Sequence, residues 1–187
     1  MSGRAPRGAA IAEFAPALII LVAFVVIPLL DLTIVPIRWM LGHEIVNDYA
    51  RKLALCEKFS QSISIMNADP SLKSRLEKLG GVQVEQIDLT MRVSRVLPSG
   101  GDGEILVVTR PGSIPPAWLP DGRKAPCSYG INLEVRARIS PAVKLAKNPG
   151  DVSVPGLNDS ILLVISSSHE WENFGRDPRN GRYFLNE

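Results

Sequence analysis

The chain has 187 residues, a formal charge of +2 and 45% apolar residues. That length suits one ordinary domain with an appendage and argues against two full domains. Lysines and arginines are scattered rather than run together, so no electrostatic case for a nucleic-acid partner arises. Two cysteines, Cys56 and Cys127, are too few for a zinc site, though an oxidising compartment would let them pair as one disulfide.

The first element is a basic head, with Arg4 and Arg7, followed by an uncharged run from Phe14 to Leu30. Seventeen such residues reach the lower limit for a membrane-spanning helix, about 17–25. Glu13 and Asp31 bracket the run and would stand about 27 Å apart along a helix, close to the thickness of a hydrocarbon layer. Positive charge on the short leading side predicts a cytoplasmic amino terminus and an external remainder beyond about Arg38. Pro16 lies in the first turns, where a missing N–H costs little. Pro28 and Pro36 fall deeper and are expected to kink the helix. A cleavable secretory leader also has a basic start and an apolar middle, but LLDLTIVPIRW offers a poor cleavage site. A buried core helix is the other alternative.

Glu13 stands at the entrance to this run. A charged acid well inside a bilayer costs about 2.5–3.5 kcal/mol on insertion scales, which makes it a functional candidate. Its plain alternative is a helix-start acid favoured by the N-terminal dipole. Arg7-Gly8 followed by Ala9-Ala10-Ile11-Ala12-Glu13-Phe14 resembles the processing site of type IV pilin-like precursors. The variant is similar to the TadE-like minor pilins, or pseudopilins, of Tad (Flp) pilus systems. NDYARKLAL, residues 47–55, resembles the helix continuation of that family. The likeness covers residues 4–55 and leaves the remaining two-thirds without a motif. Pro16 lies earlier than the family's usual proline, and Ala9 stands where classical pilins often carry phenylalanine.

The resemblance implies cleavage between Gly8 and Ala9 by a prepilin peptidase. Glu13 then becomes the fifth mature residue and Phe14 the sixth, and both serve subunit docking and axial register. The new amine on Ala9 of one subunit would neutralise Glu13 of a neighbour. The implied partners are that peptidase, other pilins or pseudopilins, the membrane assembly platform of the pilus and the lipid bilayer. The implied location is a bacterial inner membrane, crossed once, with a periplasmic C-terminal domain that becomes extracellular in an assembled pilus.

Beyond Arg38, Ile45, Tyr49, Leu53, Cys56, Ser60, Ile63 and Met66 recur at three- and four-residue steps. They predict one partner-facing stripe on a helix that bends near Pro36 and Gly42 and runs to about residue 67. DPSLKSRLEKLGG predicts a short second helix, with Asp69 as cap, Pro70 at its first position and Gly80 at its exit. Then the period becomes two. Ile87, Leu89, Met91 and Val93 alternate with polar residues, as do Tyr129, Ile131, Leu133, Val135 and Ile139, which reads as two half-buried strands. The continuous apolar runs at 104–109 and 160–166 read as more central strands. Joins at 97–103, 110–128 and 140–159 read as surface loops. Trp118 in one of them is either a contact residue or a cover for the sheet edge. Asn180-Gly181 suggests a terminal hairpin.

The expected fold is therefore α+β, a long N-terminal transmembrane helix continuing into a mainly antiparallel sheet of about four strands, with the pilin-like arrangement that the resemblance implies. Its divisions are a leader (1–8), the transmembrane helix (9–38), the helical continuation and second helix (39–80) and the sheet portion (81–187). No catalytic set is readable. His43 lacks a second histidine at metal-binding offset, Ser168 and His169 should point to opposite faces of a strand, and LPSGGDGE lacks a phosphate-loop lysine. No enzyme activity, metal or cofactor is expected. An assembly subunit is the leading reading, and an anchored binding module without a filament role is the alternative.

Overall fold

The computed structural model describes residues 7–98, 102–142 and 159–171, with Pro155, Arg179 and Leu185; residues 7–13 and 102 are described by backbone alone. Helix α1 (Arg7–Leu21) passes through a π-helical turn (Val22–Val26) into α2 (Ile27–Ala54). Two short helices follow, α3 (Phe59–Ala68) and α4 (Ser71–Glu77). Four strands complete the chain: β1 (Val82–Val96), β2 (Asp102–Val108), β3 (Cys127–Ile139) and β4 (Ile161–Glu170).

The π turn sits just ahead of Pro28. Proline offers no N–H to the preceding turn and crowds it, and a widened turn gives the ring room. Ile27 N–H accordingly donates to Val22 O, five residues back, and Pro28 falls at the start of α2. The bend expected near Pro36 and Gly42 is replaced by unbroken α-helix. The interruption falls instead at residues 55–58. Two carbonyls at the break accept from side chains: Leu53 O, in the last turn of α2, from Ser62 Oγ at 3.0 Å, and Cys56 O from Trp171 Nε1 at 2.5 Å. The break shifts the helical phase. Phe59 and Ser62 become the buried residues of α3, while Ser60, Ile63 and Met66 are only half-buried.

The second helix starts and stops where Asp69, Pro70 and Gly80 indicate. Asp69 Oδ1 accepts the Ser71 N–H at 2.9 Å. Gly80 and Gly81 both take positive φ, +71° and +69°, a backbone that side-chain-bearing residues rarely adopt.

The sheet is antiparallel throughout, in the order β2-β1-β3-β4. The two alternating segments are thus its inner strands. The apolar runs expected to be central form the outer strands among the described residues. Their outward side chains explain the reversal: Ile105, Val107, Leu162 and Val164 are about half exposed, so these runs are not buried on both faces. Helix α2 lies across β3 and β4, and α4 packs on β1. Between the layers lies one apolar core that includes Val46, Leu53, Phe59, Leu76, Leu133 and Trp171. The turn expected at Asn180-Gly181 and parts of the 97–103 and 140–159 joins lie outside the described residues.

Gly42 lies on the face of α2 packed against the sheet. A Cβ there would lie 3.0 Å from Ile165 Cδ1 and 3.6 Å from Leu76 Cδ2. Gly42→Leu should therefore wedge the layers apart and cost about 1–3 kcal/mol. Gly42→Ala meets only the flexible end of Ile165 and regains up to about 1 kcal/mol of helix propensity, so it should be close to neutral. Urea unfolding of the detergent-solubilised chain measures both.

Candidate functional site: the bare helix and its landing on the sheet

The N-terminal helix is long and apolar enough to cross a membrane. From Phe14 to Leu30 its side chains are exposed or half-buried, with Phe14 at 65% and Phe24 at 76%. Gly8, Ala9 and Glu13 belong to the first two turns of α1. Ala9 and Glu13 stand one helical turn apart, about 6 Å along the axis.

Asp31 is the first fully buried side chain of the helix among the described residues. Its Oδ1 accepts the Ala142 N–H at 2.7 Å. Two turns on, Arg38 Nη1 donates to Ser140 O at 2.5 Å, and the Ser140 N–H donates to Gly81 O at 2.7 Å. The backbone at Gly81 lies so close to the Arg38 guanidinium that a Cβ would fall 2.7 Å from Nη1. One acid and one base of the helix thus fasten the end of β3 and the entry to β1. Asp31 is therefore a contact of the folded domain as well as the end of the uncharged run, and the 9–38 division overlaps the domain by two turns.

Further along, the amide oxygen of Asn47 accepts from Ser167 Oγ at 2.8 Å and lies 2.9 Å from His169 Nε2, which fastens α2 to β4. Ser168 faces the opposite side of that strand, where it lines a shallow polar hollow of about 150 Å³ with Arg92, Ser94, Ser128, Gly130 and Glu170. Tyr49 Oη donates to Asp69 Oδ2 at 3.3 Å, and Lys52 Nζ lies 3.2 Å from the same oxygen. Hydrogen bonds from Ser71, with Lys52 alongside, hold the Asp69 carboxyl down at about 2. Burial, reinforced by the Asp69 charge, pushes the Tyr49 phenol up to about 12.

The remaining candidates fall elsewhere. Cys56 is buried and Cys127 partly exposed, and both are free thiols, so the pairing that an oxidising compartment would allow is not made in this structure. Cys127 Sγ instead approaches Lys124 O at 3.3 Å, and burial raises its pKa. Trp118 is buried; its carbonyl accepts from Tyr129 Oη at 2.7 Å, and Lys124 Nζ sits 4.3 Å from its ring centroid. It covers the sheet rather than offering a contact. Among the described residues no group of three or more His, Cys, Asp or Glu side chains could hold a metal ion. Asn47 and the fastening roles of Asp31 and Arg38 were invisible in the sequence because their partners lie about a hundred residues away.

The chain matches no family model, no curated protein and no solved structure. Its functional reading rests on its own residues and geometry.

The Asp69 junction has a definite pH signature. An unfolded aspartate titrates near about 4, and this one titrates at about 2 when folded. Its stabilising contribution is complete above about 4 and is lost as the pH falls through about 2. Asp69→Asn should flatten the acid limb of the stability profile between those values, as followed by urea midpoints at stepped pH.

Proposed function

We propose that the chain is a membrane-anchored assembly subunit, a minor pilin or pseudopilin of the TadE-like kind, held by its first helix in a bacterial inner membrane. The observation that carries this reading is an order of features along the sequence. A basic head, a glycine, an acid five residues on, an aromatic and a bare apolar run follow one another, before the helix is fastened to a sheet at Asp31.

In this reading a prepilin peptidase cuts between Gly8 and Ala9. The liberated amine carries positive charge at the edge of the bilayer, one turn from its own Glu13. In a bundle of such helices a neighbour's amine can reach the same carboxylate, and pairing removes the cost of leaving either charge alone in an apolar setting. Phe14, exposed at 65%, would pack between adjacent helices beside that pair. The sheet domain sits in the periplasm and becomes extracellular once the subunit enters a pilus. Other pilins and the membrane assembly platform are the partners; no reaction is catalysed. A second reading, an anchored binding module with no filament role, draws on the polar hollow beside Gly130 on the outer sheet face.

Mass spectrometry of the membrane fraction separates the two. A mature amino terminus at Ala9 supports the assembly subunit, and an intact leader supports the binding module. Gly8→Val should abolish processing while leaving insertion unchanged; normal maturation would rule out the assigned peptide bond. Glu13→Ala should insert at least as well as the parent chain. It should appear in sheared filaments at less than about a tenth of the parent level, the equivalent of losing about 1.4 kcal/mol of pairing. Unchanged recovery would remove the role given to Glu13.

A further inference from the structure

The side of α2 turned away from the sheet stays apolar well past Asp31. Leu32, Ile37, Met40 and Leu41 are exposed at 64, 45, 65 and 50%. With Leu29 and Pro36, both also exposed, they follow the three- and four-residue steps of one helix side. The next exposed positions on that side are Glu44, Asp48 and Arg51, so polarity changes within a single turn. The hydroxyl in the stripe, Thr33, donates to Leu29 O at 2.8 Å within its own helix. It is therefore satisfied without water.

The bare apolar surface thus ends at two different levels. On the sheet side it stops at Asp31, where the domain begins. On the far side it continues to Leu41. From Phe14 to Leu41 it measures about 40 Å, against about 30 Å for a hydrocarbon layer. A bilayer surface meets a tilted helix along an oblique line of this kind, and spanning helices tilt by about 20° on average and up to about 40°. Trp39, 39% exposed, flanks the stripe at the level where aromatic side chains favour the membrane interface. Close helix–helix contact prefers small residues that let backbones approach. The stripe is built from Leu, Ile, Met and Pro, and the glycine of this region, Gly42, faces the sheet.

We infer that the surface of the lipid bilayer covers this face. The helix leans toward its bare side and seats the folded domain against the membrane, with Met40 and Leu41 at interfacial depth. The inference rests on the anchor part of the proposed function and is independent of any filament role.

The test uses full-length chain with Cys127→Ser, reconstituted in phosphatidylcholine–phosphatidylglycerol vesicles. A fluorophore is placed at Ile20→Cys, Ile37→Cys, Met40→Cys or Asp48→Cys, and the vesicles carry nitroxide lipids labelled at shallow or deep acyl positions. The expected result is strong deep quenching at residue 20. Shallow quenching at residues 37 and 40 should be several-fold greater than at residue 48. Quenching at residue 20 with none at residues 37 and 40 overturns the inference and leaves the anchor standing. Disulfide cross-linking between copies of the unlabelled Met40→Cys chain, without lipid quenching at that position, overturns it in favour of a subunit contact. Absence of quenching at every position overturns both the inference and the anchor.

Discussion

One continuous helix has to satisfy two different surroundings, and the handover at Asp31 governs how the rest of the molecule is arranged. A carboxylate with no solvent exposure is tolerable only where donors meet it, and the Ala142 N–H does so at 2.7 Å. That bond fixes the height at which the end of β3 reaches the helix. Arg38 repeats the fastening two turns later through Ser140, and Ser140 passes it to Gly81 at the entry to β1. The charges that end the apolar run are thereby used as the first attachment points of the domain.

Above that junction the helix is held along one side by contacts of different kinds. Gly42 lets the backbone approach Ile165. Asn47 gives one oxygen to two side chains of β4. Tyr49 and Lys52 meet Asp69 in the turn between the short helices. Ser62 and Trp171 then take the carbonyls that would otherwise carry the helix onward. On the opposite side the Asp48–Arg75 pair, at 3.5 Å, reaches α4 only beyond the apolar stripe. This one-sidedness is what leaves a long apolar surface for some other medium to cover.

Local features were legible in the sequence wherever the cause was local. The uncharged run, the Asp69-Pro70 start and Gly80 exit of the short helix, and the period-two segments that became β1 and β3 all follow from neighbouring residues. The interruption at residues 55–58 was not legible, because a tryptophan 115 positions away helps to cause it. The apolar runs that became β2 and β4 looked central because composition alone cannot say that Val107 or Val164 faces outward. At the candidate site, the spacing of Gly8, Glu13 and Phe14 was readable directly. The burial of Asp31 required the fold, since its partner lies 111 positions downstream.

The proposed function adds a single step to this architecture. Removal of the basic head leaves an amine beside an acid at the mouth of the bare helix, while the domain stays fixed at the other end. Processing, insertion and docking then act in sequence along one rod. The account depends most on lipid being the medium around residues 14–30. Hydrogen exchange of the full chain in lipid nanodiscs addresses that directly. The account predicts that amides 14–30 exchange as slowly as those of β3, because water does not reach them. Exchange of that stretch within seconds, with β3 still protected, would contradict it.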